Sequence, residues 1–280
     1  MAETPHDAKL GAAGAHLMEF SQKMQQRAAQ EKRGPAEVIQ LPLWPEPKRG
    51  APNAVLRGAL FAAIQGKTRH RGLSEQLIAT QDGVTIRYTG AQLDQADLDV
   101  WEQALHLVRT QDLGTECHFT EKGFLKALGR STGKSDRTWL RSAISRLTTA
   151  TVEISNGRLT YGGSLVSFSR DEDTGHTVLE INPKLARFFS PTRWTQIDWA
   201  QRQQLRGKPL ALWLHGFYAS HAEPYPLRVA YLHKLSGSQT NRLRRFKENL
   251  TQALSDLQAT GAIRGFEIQG DLVHVWTVPS

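Results

Sequence analysis

Arginine, asparagine and glutamine gathered on two segments are the side chains best suited to chemistry here, and that chemistry is hydrogen bonding to nucleic acid. The first segment carries Lys134, Ser135, Arg137, Thr138 and Arg141, with Arg158 following. The second carries Ser238, Gln239, Thr240, Asn241, Arg242, Arg244 and Arg245. An arginine fork matches the acceptor pair of guanine, asparagine matches adenine, and Ser, Thr and Lys mostly suit phosphates. With Leu243, Phe246 and Leu250 turned inward on a helix, the opposite face presents Asn241, Arg244, Arg245, Glu248 and Gln252. With Leu140, Ile144 and Leu147 inward, the other helix presents Ser135, Thr138, Arg141, Ser142 and Ser145. Lys134 and Ser238 fall where a helix N-terminus would hold a phosphate. One charged helix face is ordinary solvated surface; it is the repetition that points to DNA.

The elements that position these residues are written twice. Phe124-Leu125-Lys126-Ala127-Leu128-Gly129 leads through a Ser/Thr/Gly/Lys turn into a basic amphipathic helix expected from about Ser135. Tyr231-Leu232-His233-Lys234-Leu235-Ser236-Gly237 leads into a second, expected from about Gln239. Thr120 is the expected cap of the first short helix and Gly129 its stop. After each long helix comes hairpin grammar: 151–155, Asn156-Gly157 and 158–161, then 263–268, Gln269-Gly270-Asp271 and 272–278. Asn-Gly suits a type I′ turn, so residues 151–161 are expected to form the first wing. The expected fold is α+β: two tandem winged-helix domains, each a helix-turn-helix plus a β-hairpin wing. They follow a flexible, Pro-punctuated N-terminal arm at 1–52, and occupy 53–181 and 182–280.

Bulk properties limit the alternatives. Lys and Arg total 35 against 27 Asp and Glu, a net charge of +8 and a pI near 9.7, which favours polyanionic partners. The single Cys117 excludes an internal disulfide and a cysteine zinc cluster. No apolar run is long enough for a membrane span, no signal pattern opens the chain, and a cytoplasmic protein is expected. Residues 129–135 resemble a phosphate-binding loop but are one residue short and lie between helices. Asp171, Glu172 and Asp173 read as a solvated turn before Gly175, and His215 and His221 fall on different helix faces. No catalytic constellation emerges, so the expectation is a non-enzyme without metal or cofactor.

Glu223-Pro224-Tyr225-Pro226-Leu227, with Leu235-Ser236-Gly237-Ser238 and the basic helix after it, resembles the TrfA family of plasmid replication initiators. The resemblance extends collinearly from about Gln40 through Arg57-Gly58-Ala59-Leu60-Phe61, Ile86-Arg87-Tyr88-Thr89-Gly90 and Gly270-Asp271-Leu272-Val273-His274. It implies a non-enzymatic scaffold that binds repeated origin sequences (iterons) in double-stranded DNA, helps open the origin and engages the host initiator and replicative helicase. It also implies exchange between DNA-binding monomers and inactive homodimers. Gln40-Leu41-Pro42-Leu43-Trp44 looks like the peptide that bacterial partners insert into the sliding clamp, through Gln40, Leu41, Leu43 and Trp44. The other reading packs the arm onto its own first domain. An alternative for the whole chain is a winged-helix transcriptional regulator binding a palindromic operator.

Overall fold

The computed structural model describes residues 41–65, 68–110, 117–171, 176–190 and 192–278. Strand β1 (Lys48–Pro52), the short helix α1 (Asn53–Leu56) and strand β2 (Phe61–Ala62) come first. Strands β3 (Leu73–Ile78) and β4 (Thr85–Gly90) follow, and β5 (Leu93–Asp94) runs directly into α2 (Gln95–Val108). Asp94 starts α2 with a capping box: its carboxylate accepts from the Ala96 and Asp97 amides while Asp97 accepts from the Asp94 amide. This helix is buried on nearly every side, with Leu98, Trp101, Ala104 and Leu105 in the core, so it forms the hub of the first half. Asp97 is sealed from solvent and answered by Arg69 at 2.7 Å and Arg146 at 2.6 Å, the pairing that makes a buried carboxylate tolerable.

Strand β6 (Cys117–Thr120) leads into α3 (Glu121–Ala127) and α4 (Lys134–Thr149). Four strands come next: β7 (Thr151–Ser155), β8 (Thr160–Gly163), β9 (Ser167–Arg170) and β10 (His176–Glu180). One sheet has the order β3-β4-β7-β8, another β6-β10-β9. A 3-10 helix (Pro183–Phe189), strand β11 (Trp194–Asp198) and helix α5 (Trp199–Gln204) complete this half. The second half holds α6 (Pro209–Ala219), β12 (Leu227–Arg228), α7 (Val229–Ser236), α8 (Leu243–Ala259), β13 (Ile263–Gln269) and β14 (Leu272–Thr277), with sheet order β12-β14-β13.

The two halves repeat one arrangement: a strand, a short helix, a turn, a long helix, then a hairpin whose second strand pairs back to the first. In the first half these are β6, α3, α4 and, after the inserted pair β7–β8, the hairpin β9–β10; in the second, β12, α7, α8 and β13–β14. The hairpin that corresponds to β13–β14 by its strand pairing is therefore β9–β10, not residues 151–161, where the first wing was expected. Register explains the difference. Val152 and Ile154 of β7 lie opposite Tyr88 and Ile86 of β4, and all four are buried on one face. Those four apolar side chains draw the Asn156-Gly157 hairpin into the four-stranded sheet. Nor is its turn type I′, since Gly157 has φ 80° but Asn156 stays out of the left-handed region. Asn156 instead accepts from the Arg158 and Leu159 amides through its side chain.

Residues 41–52 were expected within the flexible arm, and here they belong to the body. β1 pairs antiparallel with β11 from Lys48↔Asp198 to Pro52↔Trp194. Leu41 and Trp44 are buried. The Trp44 ring stacks on Phe189 at 6.2 Å and tilts against Trp194 at 5.7 Å, and its indole N–H donates to His106 Nδ1 at 3.0 Å. A Cβ at Gly50 would lie 2.5 Å from that ring, so only glycine fits there. The apolar clusters divide between Trp199 and Leu205, because the 3-10 helix and β11 turn Leu185, Phe188, Phe189 and Ile197 into the first core. By its contacts, the described chain from residue 41 to 278 is one compact unit.

Candidate nucleic-acid interface

Both long helices bury one stripe and leave the opposite face to solvent. Leu140, Ala143, Ile144 and Leu147 are buried in α4; Leu250, Ala253, Leu254 and Leu257 repeat that spacing in α8. Superimposing the stripes sets Lys134 against Arg244, Ser135 against Arg245 and Arg137 against Lys247. Lys134, Ser135, Arg137, Thr138 and Arg141 are exposed on α4, as are Asn241, Arg242, Arg244 and Arg245 at the start of α8. Arg158 is exposed too, but at the tip of β7–β8 in the four-stranded sheet. Leu243, expected inward, is 43% exposed. It is the first residue of α8, and the stripe proper begins at Phe246.

The second long helix starts later than its sequence suggests. Gly237 ends α7 with φ 61°, the left-handed cap that glycine adopts without penalty. Ser238, Gln239 and Thr240 then form the turn. The Ser238 hydroxyl donates to Thr240 Oγ1 and accepts from the Thr240 amide. His233 Nε2 lies 2.9 Å from the Thr240 carbonyl, which fixes the proton on that nitrogen, and the His233 ring meets Phe246 edge-on at 4.7 Å. Gln239 donates to Gln92 at 3.0 Å. These three residues are half-buried and anchor the turn that precedes α8. Arg244 is 94% exposed, with Glu248 one turn away at 3.5 Å. Lys247 donates to the Gly270 carbonyl at 2.6 Å and ties α8 to the tip of its hairpin.

The first turn is pinned by different chemistry. Thr120 caps α3 by accepting from the Gly123 amide, and Gly129 follows α3 with φ 64°. Residues 129–135 join two helices, so no strand feeds them as in a phosphate-binding loop. Asp136 in the first turn of α4 accepts from Ser131 and from Arg130 at 2.8 Å, and these contacts hold its carboxyl below the usual range. The Arg130 guanidinium lies 3.5 Å over the Trp139 ring. Arg137 donates to the Thr132 carbonyl, and Thr138 to the Lys134 carbonyl. Arg141 is gripped by Glu121 through Nε at 2.7 Å and NH2 at 3.2 Å.

Each turn also leans on the rest of the body. A Cβ at Gly237 would lie 2.9 Å from both Ala59 and Ala62, and the Ala63 amide donates to the Ser236 carbonyl at 2.7 Å. Arg206 donates to the carbonyls of Leu128 and Gly129. Between the halves sits Arg202, 1% exposed, paired with Asp99 at 2.6 Å and Glu102 at 3.3 Å and donating to the Leu212 and Gln95 carbonyls. Burial pushes the Glu102 carboxyl up to about 7 against the pull of Arg202. Sequence reasoning missed Glu121, Gln92, Arg202 and Arg206, whose main side-chain partners lie 20 to 147 residues away.

Of the expected clamp-binding peptide, Gln40 lies outside the described residues. Leu41 and Trp44 are sealed in the core, and Leu43 is 74% exposed. Arg109 donates to the Trp44 carbonyl and pairs with Glu46 at 2.6 Å. A clamp groove would have to strip Trp44 from its aromatic stack, so the reading in which this segment packs on its own body replaces the free-peptide reading. Among the described residues, no three His, Cys, Asp or Glu side chains gather where they could hold a metal, and no helix is long and apolar enough to cross a membrane.

The TrfA protein family matches this chain over residues 13–277. The plasmid replication initiator protein TrfA of Escherichia coli is 28% identical over 243 residues, which make up 82% of this chain and 62% of that protein. The chain thus spans less than two thirds of that relative's length. Among solved structures, domains 2 and 3 of RctB match with a TM-score of 0.53 at 14% identity, covering 81% of this chain and 98% of that one. At that identity the likeness is one of fold, an α+β arrangement of mixed helices and short sheets. By the extent of the family match, this chain belongs to the TrfA family.

Proposed function

We propose that this protein is a plasmid replication initiator that reads repeated sequences in double-stranded origin DNA through two winged-helix units. The observation that carries the reading is the repeated arrangement of strand, short helix, turn, basic long helix and hairpin, with a solvent-facing cluster of Arg and Asn at the start of α8. Helix N-termini are the parts of such readers that reach base edges in the major groove. Iteron binding, origin opening and engagement of the host initiator and replicative helicase extend this reading by family membership. In it the protein is a scaffold and not an enzyme, and metal-dependent nicking of supercoiled origin DNA would overturn that part.

The test is selection from a random duplex library at about 150 mM salt, which suppresses phosphate-only binding, followed by hydroxyl-radical footprinting. The expected result is a directly repeated site protected on one DNA face across two successive major grooves, centred about 10 bp apart. A palindrome bound only by a dimer would favour the transcriptional regulator instead. Recovery of no sequence would sink both readings.

A further inference from the structure

We propose that Glu121 is a positioning residue for DNA readout, fixing the direction of Arg141 and offsetting part of its charge so that sequence, more than phosphate attraction, governs binding by α4. The inference rests on the DNA-reading function proposed above. Glu121 is the first residue of α3, directly after strand β6, and its side chain is only 9% exposed, although its neighbour Thr120 is exposed. Its two oxygens take the Nε and NH2 of Arg141, while NH2 of Arg170, from β9, stands 3.3 Å from Oε1. One carboxylate from the first helix of the motif therefore ties together α4 and the hairpin β9–β10.

The geometry decides what the pairing does. Arg141 lies on the solvent face of α4, 48% exposed, in line with Ser135, Thr138 and Ser142. A free arginine there would swing toward any phosphate within reach. Held by two parallel hydrogen bonds, the guanidinium plane is fixed, and little rotamer freedom remains to be lost when it meets a base edge. Glu121, shared with Arg170, also offsets part of its charge, which weakens a sequence-independent attraction. The second reader lacks this arrangement. Arg244 has only an exposed Glu248 on its own helix at 3.5 Å, a contact too weak to hold a side chain.

The experiment compares the full chain with Glu121→Gln, measuring dissociation constants for the selected duplex and a scrambled one across a salt series. The expected result is a fall of about tenfold in the specific-to-scrambled affinity ratio, with a salt dependence on scrambled DNA steeper by about one unit. Arg141→Lys keeps the charge but cannot make the paired contact. It should lose a similar share of discrimination without steepening the salt dependence, and it decides the matter should Glu121→Gln fail to fold. If discrimination and salt dependence stay at wild-type values in the folded Gln variant, or discrimination survives in Arg141→Lys, the proposal is overturned. A lowered melting temperature with unchanged discrimination also overturns it, leaving Glu121 a merely structural residue. Wild-type protein without any sequence preference would instead defeat the DNA-reading function itself, and this inference with it.

Discussion

Exposure and anchoring divide the expected contact residues into different kinds. Arg244 stands clear of the body and matches Lys134 in the superimposed stripes, yet arginine and lysine suit different targets. Arg244→Ala is expected to cost ~1–3 kcal/mol on the selected duplex and to relax preference at one position. Lys134→Ala is expected to weaken specific and scrambled duplexes alike and to flatten the salt dependence by about one unit. Equilibrium titrations on both duplexes distinguish these outcomes. Trp44 belongs to a third kind. Removing its buried ring leaves a cavity beside Phe189 and Trp194, so Trp44→Ala is expected to lower unfolding free energy by ~3–5 kcal/mol, measured by denaturant titration. The sequence made the exposed arginines legible because helix periodicity alone sorts a charged face from an apolar one. It could not reveal that Arg141 is held by Glu121, nor that Trp44 finds His106, since no local pattern encodes a partner on another element.

Glycines ending the two short helices look alike in sequence and face different surroundings. At Gly237 a methyl would press on the Cβ atoms of Ala59 and Ala62, which have nowhere to go. At Gly129 it would meet the far ends of Arg206 and Gln203, which can swing aside. Both positions carry the left-handed strain of about 1–2 kcal/mol for a non-glycine residue. Gly237→Ala is therefore expected to shift the denaturation midpoint clearly more than Gly129→Ala. Helix positions were readable from caps and apolar spacing, although α8 begins four residues later than expected because His233 and Ser238 hold Thr240 in a turn. The first hairpin lies elsewhere for a stronger reason. Asn156-Gly157 marks a real hairpin, but only the pairing of β10 with β6 shows which hairpin matches β13–β14, and pairing between positions as distant as Cys117 and Leu179 leaves no trace in a window of ten.

At the scale of the molecule the two halves are not beads on a linker. Arg202, buried among Asp99, Glu102 and backbone carbonyls, sits where the halves meet, and Gln239 and Arg206 bind each turn to residues outside its own motif. Arg202→Leu should leave two acidic side chains without their partner and destabilise the fold by ~3–5 kcal/mol in thermal or denaturant melts. Glu102 gives the same hub a pH signature. Its carboxyl titrates near 7 in the fold against about 4.3 when unfolded. The protonated form is thus favoured by folding, and its stabilising contribution is complete below about 4.3 and lost as pH rises through 7. Glu102→Gln should accordingly lose less stability than wild type between pH 5.5 and 8, a difference that melting curves across that range would measure. For the DNA reading proposed above, halves packed in this way set a fixed spacing: inserting about 5 bp between repeats would rotate one site half a turn away, and binding should fall to that of a single half.

Strand β1 finds its partner in β11, with Lys48 and Asp198 separated by 150 positions. During synthesis at about 5–20 residues per second, that separation amounts to roughly 8–30 s. Throughout that interval Trp44 has neither Phe189 nor Trp194 to stack on, and the aromatic stack that closes the first half must be among the last parts of it to assemble. The nascent chain therefore passes through a period in which its indole is on offer to any apolar groove nearby, and only completion of β11 ends it.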